Sequence, residues 1–471
     1  MKEVEQIYTN CLAQGAYFIE SDGEAAVIDP LRETEPYLQR AERLGVKIKY
    51  IFETHFHADF VSGHVDLAKK TGATIIYGPT ADTKFDIHNA TDGEEFKIGK
   101  IKIKAIHTPG HTPESTTYLL IDENQKEKAI FTGDTLFIGD VGRPDLAQKS
   151  GALTVEDLAG WLYDSLRNKI MVLPDDVIVY PAHGQGSACG KNMSSDTWST
   201  LGEQKKTNYA LRASMTKEEF IVEVTDGLQA PPQYFPKNAK LNKLGYDSFD
   251  EVLERGNKAL SVRDFKLISD QEDVLILDVR SKEDFVEGFI PGSWFIGLDG
   301  SFAPWVGTMI KDIMQKIVIV APVGKELETI KRLARVGYDN AIGYLDGGFK
   351  SWADNQETIN TIETIDANTF LNLYEQDSSL SILDVRKPGE FSTKHINQAD
   401  NFPLDFIHEN IAEFNGNRKY YMHCRSGYRS TVAASILMEK GFSNFVNVQC
   451  MFADFENTPL ELAGNCPSLV K

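Results

Sequence analysis

The segment VLILDVRSKEDFVEGFI at residues 274–290 returns as LSILDVRKPGEFSTKHI at residues 380–396, with one constant offset separating Asp278 from Asp384 and Phe285 from Phe391. A duplication of this kind restricts the fold strongly, because both copies must satisfy one packing scheme. In each copy a short apolar run ends in Asp-Val-Arg and a polar helix start follows. A second apolar run comes next, KIVIVAP (316–322) in one copy and RKYYMHC (418–424) in the other. An amphipathic stretch then closes at Val336-Gly337 or at Lys440-Gly441. Strand and helix in alternation predict a parallel sheet with helices on both faces. Each copy holds about 100 residues, enough for one small α/β domain.

The first half follows another plan. It opens with AYFIE, a turn at Ser21-Asp22-Gly23 and a second strand-like run, AAVIDP. A helix, the run KYIFETHFHAD, another helix and further β segments follow. This mixture predicts an α/β sandwich rather than a singly wound sheet. Residues 228–260, rich in Pro, Asn and Lys, read as the tail of the first domain and a linker. Three domains are expected, at 1–258 (with the linker from about 236), 259–357 and 358–471.

Composition excludes several classes. The 49 basic and 69 acidic residues give a net charge of −20, which argues against nucleic acid or an anionic membrane as the main partner. Five cysteines in 471 residues are too few for a disulfide framework and read as thiols of a reducing compartment. The start has no basic segment followed by an apolar one, and no run is long and apolar enough to span a membrane. A cytoplasmic protein is the expectation.

Four strand–turn junctions each deliver a histidine or an aspartate. Thr54-His55-Phe56-His57-Ala58-Asp59 follows KYIFE, and His111 follows the turn Thr108-Pro109-Gly110. Gly133-Asp134 follows the apolar run AIF, and His183 follows DVIVY in Tyr180-Pro181-Ala182-His183-Gly184. Such convergence fits a metal held by imidazole and carboxylate. His64, His88, His107 and His408 lack this context and read as ordinary structural histidines.

These motifs, His55-Phe-His57-Ala-Asp59, Pro109-Gly110-His111-Thr112, Gly133-Asp134 and Ala182-His183-Gly184, resemble those of the metallo-β-lactamase superfamily over roughly residues 1–235. The resemblance implies an αββα sandwich with the metal at one edge of its two sheets. Dinuclear hydrolases of the superfamily carry a histidine directly after the aspartate, whereas this chain has Phe60, which cannot ligate. The persulfide dioxygenases are similar throughout and tolerate that loss. What the resemblance implies is one Fe(II) per chain, held by His55, His111 and Asp134. Two histidines and one carboxylate leave positions open for O2 chemistry. His57, Asp59 and His183 would orient the ligands or bound water, and Arg143 of Val141-Gly142-Arg143-Pro144-Asp145 would hold the anionic group of a thiol carrier. An Arg–Asp pair in a turn is the other reading of Arg143. Cys189, which follows the last histidine, either lies near the metal or packs.

The second strong signal is Cys424-Arg425-Ser426-Gly427-Tyr428-Arg429-Ser430, between an apolar run and the helical TVAASILMEKG. Backbone N–H groups at a helix N-terminus together with arginines make an anion cradle and activate a thiol. Phosphatase loops place five residues between Cys and Arg, and here there are four. With Leu383-Asp384-Val385-Arg386 upstream and His395-Ile396 after it, the segment resembles a rhodanese sulfurtransferase over about 358–471. Cys424 would be its nucleophile, and Arg425, Ser426, Gly427, Tyr428 and Arg429 its substrate cradle. Val448-Gln449-Cys450-Met451 departs from the family's L-x-G-G. The first copy keeps Leu345-Asp346-Gly347-Gly348 yet has Pro322 where the cysteine is expected, so it looks like a pseudo-rhodanese without a thiol. Cys11, Cys450 and Cys466 carry no activating pattern.

Nearly the whole chain resembles a persulfide dioxygenase–rhodanese fusion. That resemblance implies oxidation of a low-molecular-weight thiol persulfide (glutathione, coenzyme A or bacillithiol type) with O2 to sulfite and thiol. Transfer of sulfane sulfur to sulfite through Cys424 would then give thiosulfate, in sulfide detoxification. A homo-oligomer is compatible with it. Two rivals stay open: a dinuclear zinc thioester hydrolase fused to a sulfurtransferase, and a non-enzymatic sulfane-sulfur carrier.

Overall fold

The structure, a computed structural model, describes residues 4–147, 152–228, 230–456, 458 and 460–464. The chain divides into two compact units, one reaching Val252 and including Lys331–Asp339, the other formed by Leu253–Ile330 and the residues from Asn340 onward.

The first unit is built on two six-stranded sheets. One orders the strands Val4–Thr9, Gln14–Ser21, Glu24–Ile28, Lys47–Phe52, Thr74–Tyr77 and His88–Asn89 side by side. The other orders Ser199–Thr200, Ile178–Pro181, Glu127–Gly133, Thr116–Ile121, Ile101–His107 and Glu95–Ile98. Alternation of side chains across each strand assigns the faces. Tyr118 and Leu120 join Ile101, Ile103 and Phe52 in the core between the sheets, whereas Leu119 and Ile121 turn outward to meet Leu162 and Phe220. On the other side Val27, Ile48 and Ile51 meet Tyr37 and Leu67 of the helices Glu35–Leu44 and His64–Thr71. The result is an αββα sandwich.

Residues 228–260, read from composition as the tail of the first domain and a linker, are largely helical, and the first unit reaches Val252. They fold into helices Phe235–Leu244 and Phe249–Gly256, with Phe235, Asn238 and Asn242 buried. Asn242 lies in the middle of a polar-looking run, yet its amide is consumed inside the protein, which composition does not reveal.

The second unit repeats one topology. The first copy pairs Ala259–Leu260, Ala341–Leu345, Lys316–Val320, Val274–Asp278 and Trp294–Phe295 in that spatial order, all parallel. The second pairs Thr364–Ile365, Phe445–Val448, Tyr420–His423, Ser381–Asp384 and Ala399–Asn401 in the equivalent order, also all parallel. These are the two parallel sheets expected from the repeat. Among the described residues no helix is long and apolar enough to cross a membrane.

Candidate functional site

The turn after strand Lys47–Phe52 is shaped by buried acids that the motifs do not include. Asp29, in the left-handed region at φ 49°, accepts from the Thr54 amide at 2.8 Å and from the Thr54 hydroxyl at 2.9 Å. Thr54 Oγ1 in turn lies 2.9 Å from His55 Nδ1. Since that hydroxyl donates to Asp29, it accepts from His55 Nδ1–H, which turns the Nε2 lone pair inward. Gly133 at φ 54° is required beside it, because a Cβ there would stand 2.5 Å from Thr54 Oγ1. His111 is fixed the same way: its Nδ1–H donates to the Arg143 carbonyl at 2.8 Å.

Both free Nε2 atoms face one oxygen. Asp134 Oδ2 lies 3.7 Å from His55 Nε2 and 3.4 Å from His111 Nε2, and it is buried without a hydrogen-bond partner. Three lone-pair donors therefore converge, all within 4.8 Å of one another, with no proton assigned between them. A cation resolves that arrangement, so the residues fit a metal. Burial, then the neighbouring His57, holds the His55 pKa well below its ordinary value, which keeps its lone pair available.

His57, Asp59 and His183 form a second convergent group. His183 Nδ1 is 2.7 Å from Asp134 Oδ1 and its Nε2 is 2.8 Å from Asp59 Oδ2. Burial opposes its protonation, but Asp134 and Asp59 outweigh burial and hold its pKa well above the ordinary value. Phe60 is fully buried and packs its tilted ring against His57 at 4.4 Å between centroids, beside His183 at 6.3 Å. The side chain after Asp59 thus closes this group with carbon rather than extending it with a donor.

Sequence reasoning missed three supports. Asn242 Nδ2 donates to the His57 and Phe60 carbonyls at 2.8 Å each, and its Oδ1 accepts from the Ser62 amide at 2.9 Å. Glu53 lies 3.6 Å from His57 Nε2 and 3.3 Å from His64 Nδ1, and the Ser62 hydroxyl donates to it. Burial, then Asp29, raises the Glu53 pKa well above the carboxylate range. Asp29 is the third. AAVIDP places a carboxylate just past the end of a strand, the one local signal that marked it. His64 behaves as a core histidine, its pKa pushed down to about 3 by burial and then His57.

Arg143 is 6% exposed and pairs with Asp145 through Nε at 2.7 Å and Nη2 at 2.8 Å, while Nη1 donates to the Ala188 carbonyl at 3.2 Å. The guanidinium expected to hold a carrier thus meets Asp145, the Arg–Asp pair that was the other reading, and a carrier's anion would compete with that carboxylate. Its backbone acts on the site directly, orienting His111. Cys189 stands beside Asp134 and His183, buried, with its thiol pKa driven well up by burial and then by Asp134.

In the second unit, Cys424 lies between strand Tyr420–His423 and helix Tyr428–Glu439. Gly427 at φ 80° caps the helix and donates its N–H to Cys424 Sγ at 3.1 Å. Arg429 is in a bidentate pair with Glu390 at 2.5 and 2.9 Å. Burial would raise the Glu390 carboxyl, but Arg429 outweighs it and holds the pKa low. Tyr428 donates its hydroxyl to the Gly297 carbonyl at 2.9 Å. Arg425 is exposed, Ser426 is partly exposed, and the Arg425 carbonyl accepts from Phe452 N at 2.9 Å. His408 binds the Met309 carbonyl, His107 the Pro113 carbonyl, and His88 is an exposed partner of Glu94. Cys11 accepts from Arg335 and Cys450 has its thiol raised to about 12, first by burial; Cys466 lies outside the described residues.

Sheet register corrects one expectation. Asp278 pairs with Val320 as Asp384 pairs with His423, so the residue opposite Cys424 is Ala321, not Pro322. Pro322 corresponds to Arg425, and Gly324 to Gly427. Counting from the ends of apolar runs misplaced the loop by one, because the strand's last residue is fixed by pairing rather than by hydrophobicity.

Residues 10–183 match the metallo-beta-lactamase superfamily, and residues 261–355 and 366–457 each match the rhodanese-like domain. The mitochondrial persulfide dioxygenase ETHE1 of Homo sapiens is 32% identical over 200 residues, 42% of this chain and 70% of that protein. The hydroxyacylglutathione hydrolase GloC of Haemophilus influenzae is 28% identical over 228 residues, 44% of this chain and 96% of that protein. The crystal structure of a metallo-beta-lactamase from Staphylococcus aureus subsp. aureus COL is 32% identical with a TM-score of 0.63, covering 73% of this chain and 97% of that one. The chain belongs to the metallo-β-lactamase superfamily. It is a fusion, in which a domain homologous to persulfide dioxygenases precedes two rhodanese-like domains.

Proposed function

We propose that this protein oxidises a low-molecular-weight thiol persulfide with O2 at one Fe(II) held by His55, His111 and Asp134, and transfers sulfane sulfur through Cys424 to sulfite, giving thiosulfate. Its place is the removal of sulfide-derived sulfur, with the oxidation assigned to residues 1–258 and the transfer to residues 358–471. The observation that carries the first part is the unpartnered Asp134 Oδ2 facing two imidazole lone pairs. Iron bound there supplies redox chemistry and open coordination positions.

The protein's own groups do the rest. Thr54 and the Arg143 carbonyl hold the two imidazoles in the ligating tautomer. His183, between Asp59 at 2.8 Å and Asp134 at 2.7 Å, orients the carboxylate that faces the two imidazoles. The overall step consumes persulfide, O2 and water and releases thiol and sulfurous acid. At the second site the Cys424 thiolate attacks the outer sulfur of a persulfide, breaking the S–S bond and releasing thiolate. A lone pair on the sulfur of sulfite then attacks the outer sulfur carried by Cys424, expelling the thiolate and forming thiosulfate. The helix N-terminus and the Gly427 N–H stabilise the anionic sulfur. Covalent linkage of the two domains raises the effective concentration of shared intermediates.

A dinuclear zinc thioester hydrolase is the second reading, favoured by the convergence of His57, Asp59 and His183 and opposed by Phe60. His111→Ala separates the two activities of the main reading. It is expected to abolish iron binding and persulfide-dependent O2 uptake while sparing thiosulfate:thiol transfer. Retained uptake would overturn the ligand assignment.

A further inference from the structure

The transfer site needs a cation placed to meet its acceptor. Sulfite is an anion, and it must approach a sulfur whose charge has the same sign. Two of the arginines near the loop are already engaged. Arg429 forms both of its short contacts with Glu390, and Arg386 is held by Asp384 and the Lys394 carbonyl. Arg425 is exposed.

A cation does reach the loop, from the copy without a thiol. Lys282 opens the helix Lys282–Glu287, capped by Ser281, which accepts from Asp284 N at 3.1 Å. Its Nζ lies 3.4 Å from the position a Cβ on Gly427 would take, against the residue whose N–H binds Cys424 Sγ. The Lys282 side chain is 25% exposed, whereas its ion-pair partner Glu283, at 3.1 Å, is 64% exposed. A pair so open to water neutralises little of the ammonium's field.

The two copies are packed against each other beside the loop. Tyr428, the first residue of the loop's helix, donates to the Gly297 carbonyl at 2.9 Å and packs its ring 5.5 Å from Phe295. Phe295 N donates to Ser435 Oγ, further along that helix, at 2.9 Å. Lys282 is also no part of the duplicated scaffold, since the corresponding position of the second copy is Pro388.

We propose that Lys282, supplied by the thiol-free copy, is the anion-recruiting residue of the Cys424 site and favours anionic sulfur acceptors. This rests on the sulfur-transfer reading of Cys424 above. It gives the first copy a role in specificity: a compact, mobile ammonium suits an acceptor that must arrive, react and leave.

The test uses full-length protein under anaerobic conditions. Cys424 is loaded with sulfur from thiosulfate, desalted, and mixed with sulfite or with the neutral thiol 2-mercaptoethanol. Lys282→Gln is expected to slow the reaction with sulfite about five- to tenfold and leave the neutral thiol within about twofold, with Lys282→Arg near wild type. Equal effects on both acceptors, or none, would overturn the proposal. A second readout needs no transferase activity: the rate ratio of Cys424 alkylation by iodoacetate and by iodoacetamide, followed by peptide mass. That ratio should fall in Lys282→Gln. An unchanged ratio overturns the role of Lys282, whereas a falling ratio in a protein unable to pass sulfur would overturn the transferase reading alone.

Discussion

The two rhodanese-like copies share a sheet topology and a buried ion pair, and only one of them has a cysteine in the loop after its central strand. Arg280 pairs with Asp278 and donates to the Gly288 carbonyl at 2.7 Å, with its guanidinium 4.0 Å from the Phe349 ring centroid. Arg386 repeats this with Asp384, the Lys394 carbonyl at 2.7 Å and Phe452 at 3.6 Å. Each loop turns through a left-handed glycine, Gly324 at φ 87° and Gly427 at φ 80°. The loops differ on both sides of that glycine, Ala321-Pro322-Val323-Gly324-Lys325-Glu326 against Cys424-Arg425-Ser426-Gly427-Tyr428-Arg429, and only the second holds a thiol. The scaffold is therefore separable from the loop: the Asp–Arg pair holds the strand end in both copies, and the thiol is present in only one.

The sharpest way to break this comparison is to exchange the deciding atom. Cys424→Ser should lower sulfur transfer by at least about a thousandfold, since the nucleophile is gone, while persulfide-dependent O2 uptake stays unchanged. The matching change, Ala321→Ser, should alter neither rate. Equal loss of uptake and transfer in Cys424→Ser would contradict the two-stage scheme.

The shared scaffold predicts the opposite behaviour. Asp278→Ala and Asp384→Ala each leave a buried guanidinium unpaired, and each should cost about 3–5 kcal/mol in urea unfolding of its copy. A large loss in one copy and none in the other would show that the ion pair is not a common structural device.

The glycines give smaller and unequal effects. A Cβ on Gly427 would meet Gln449 Cγ at 2.8 Å, whereas nothing lies within 4 Å of one on Gly324. Gly324→Ala should therefore cost only the left-handed penalty, about 1–2 kcal/mol, and Gly427→Ala more, with slower transfer as well. Equal unfolding midpoints for the two variants would contradict the contact with Gln449.

Much of this was legible in the chain because repeated and contiguous patterns survive without a structure. The repeat disclosed both parallel sheets, and the histidine motifs disclosed the residues that meet near Asp134, since each sits at a strand end. What stayed hidden was remote or chemically ordinary. Asn242 supports the His57 turn from a helix whose composition looked like a linker. Asp29 and Glu53 are single acids inside apolar runs, and only burial makes them structural. Ala321 could be matched to Cys424 only through hydrogen-bonded register, and Lys282 looked like any solvated helix start.

The central claim is that the convergent His55, His111 and Asp134 group holds iron for oxygen chemistry. Protein purified anaerobically should be analysed for metal and then given glutathione or coenzyme A persulfide in an oxygen electrode. The account predicts about one iron per chain with uptake that depends on persulfide. About two zinc ions per chain and no uptake would contradict it and move the first domain to the hydrolases.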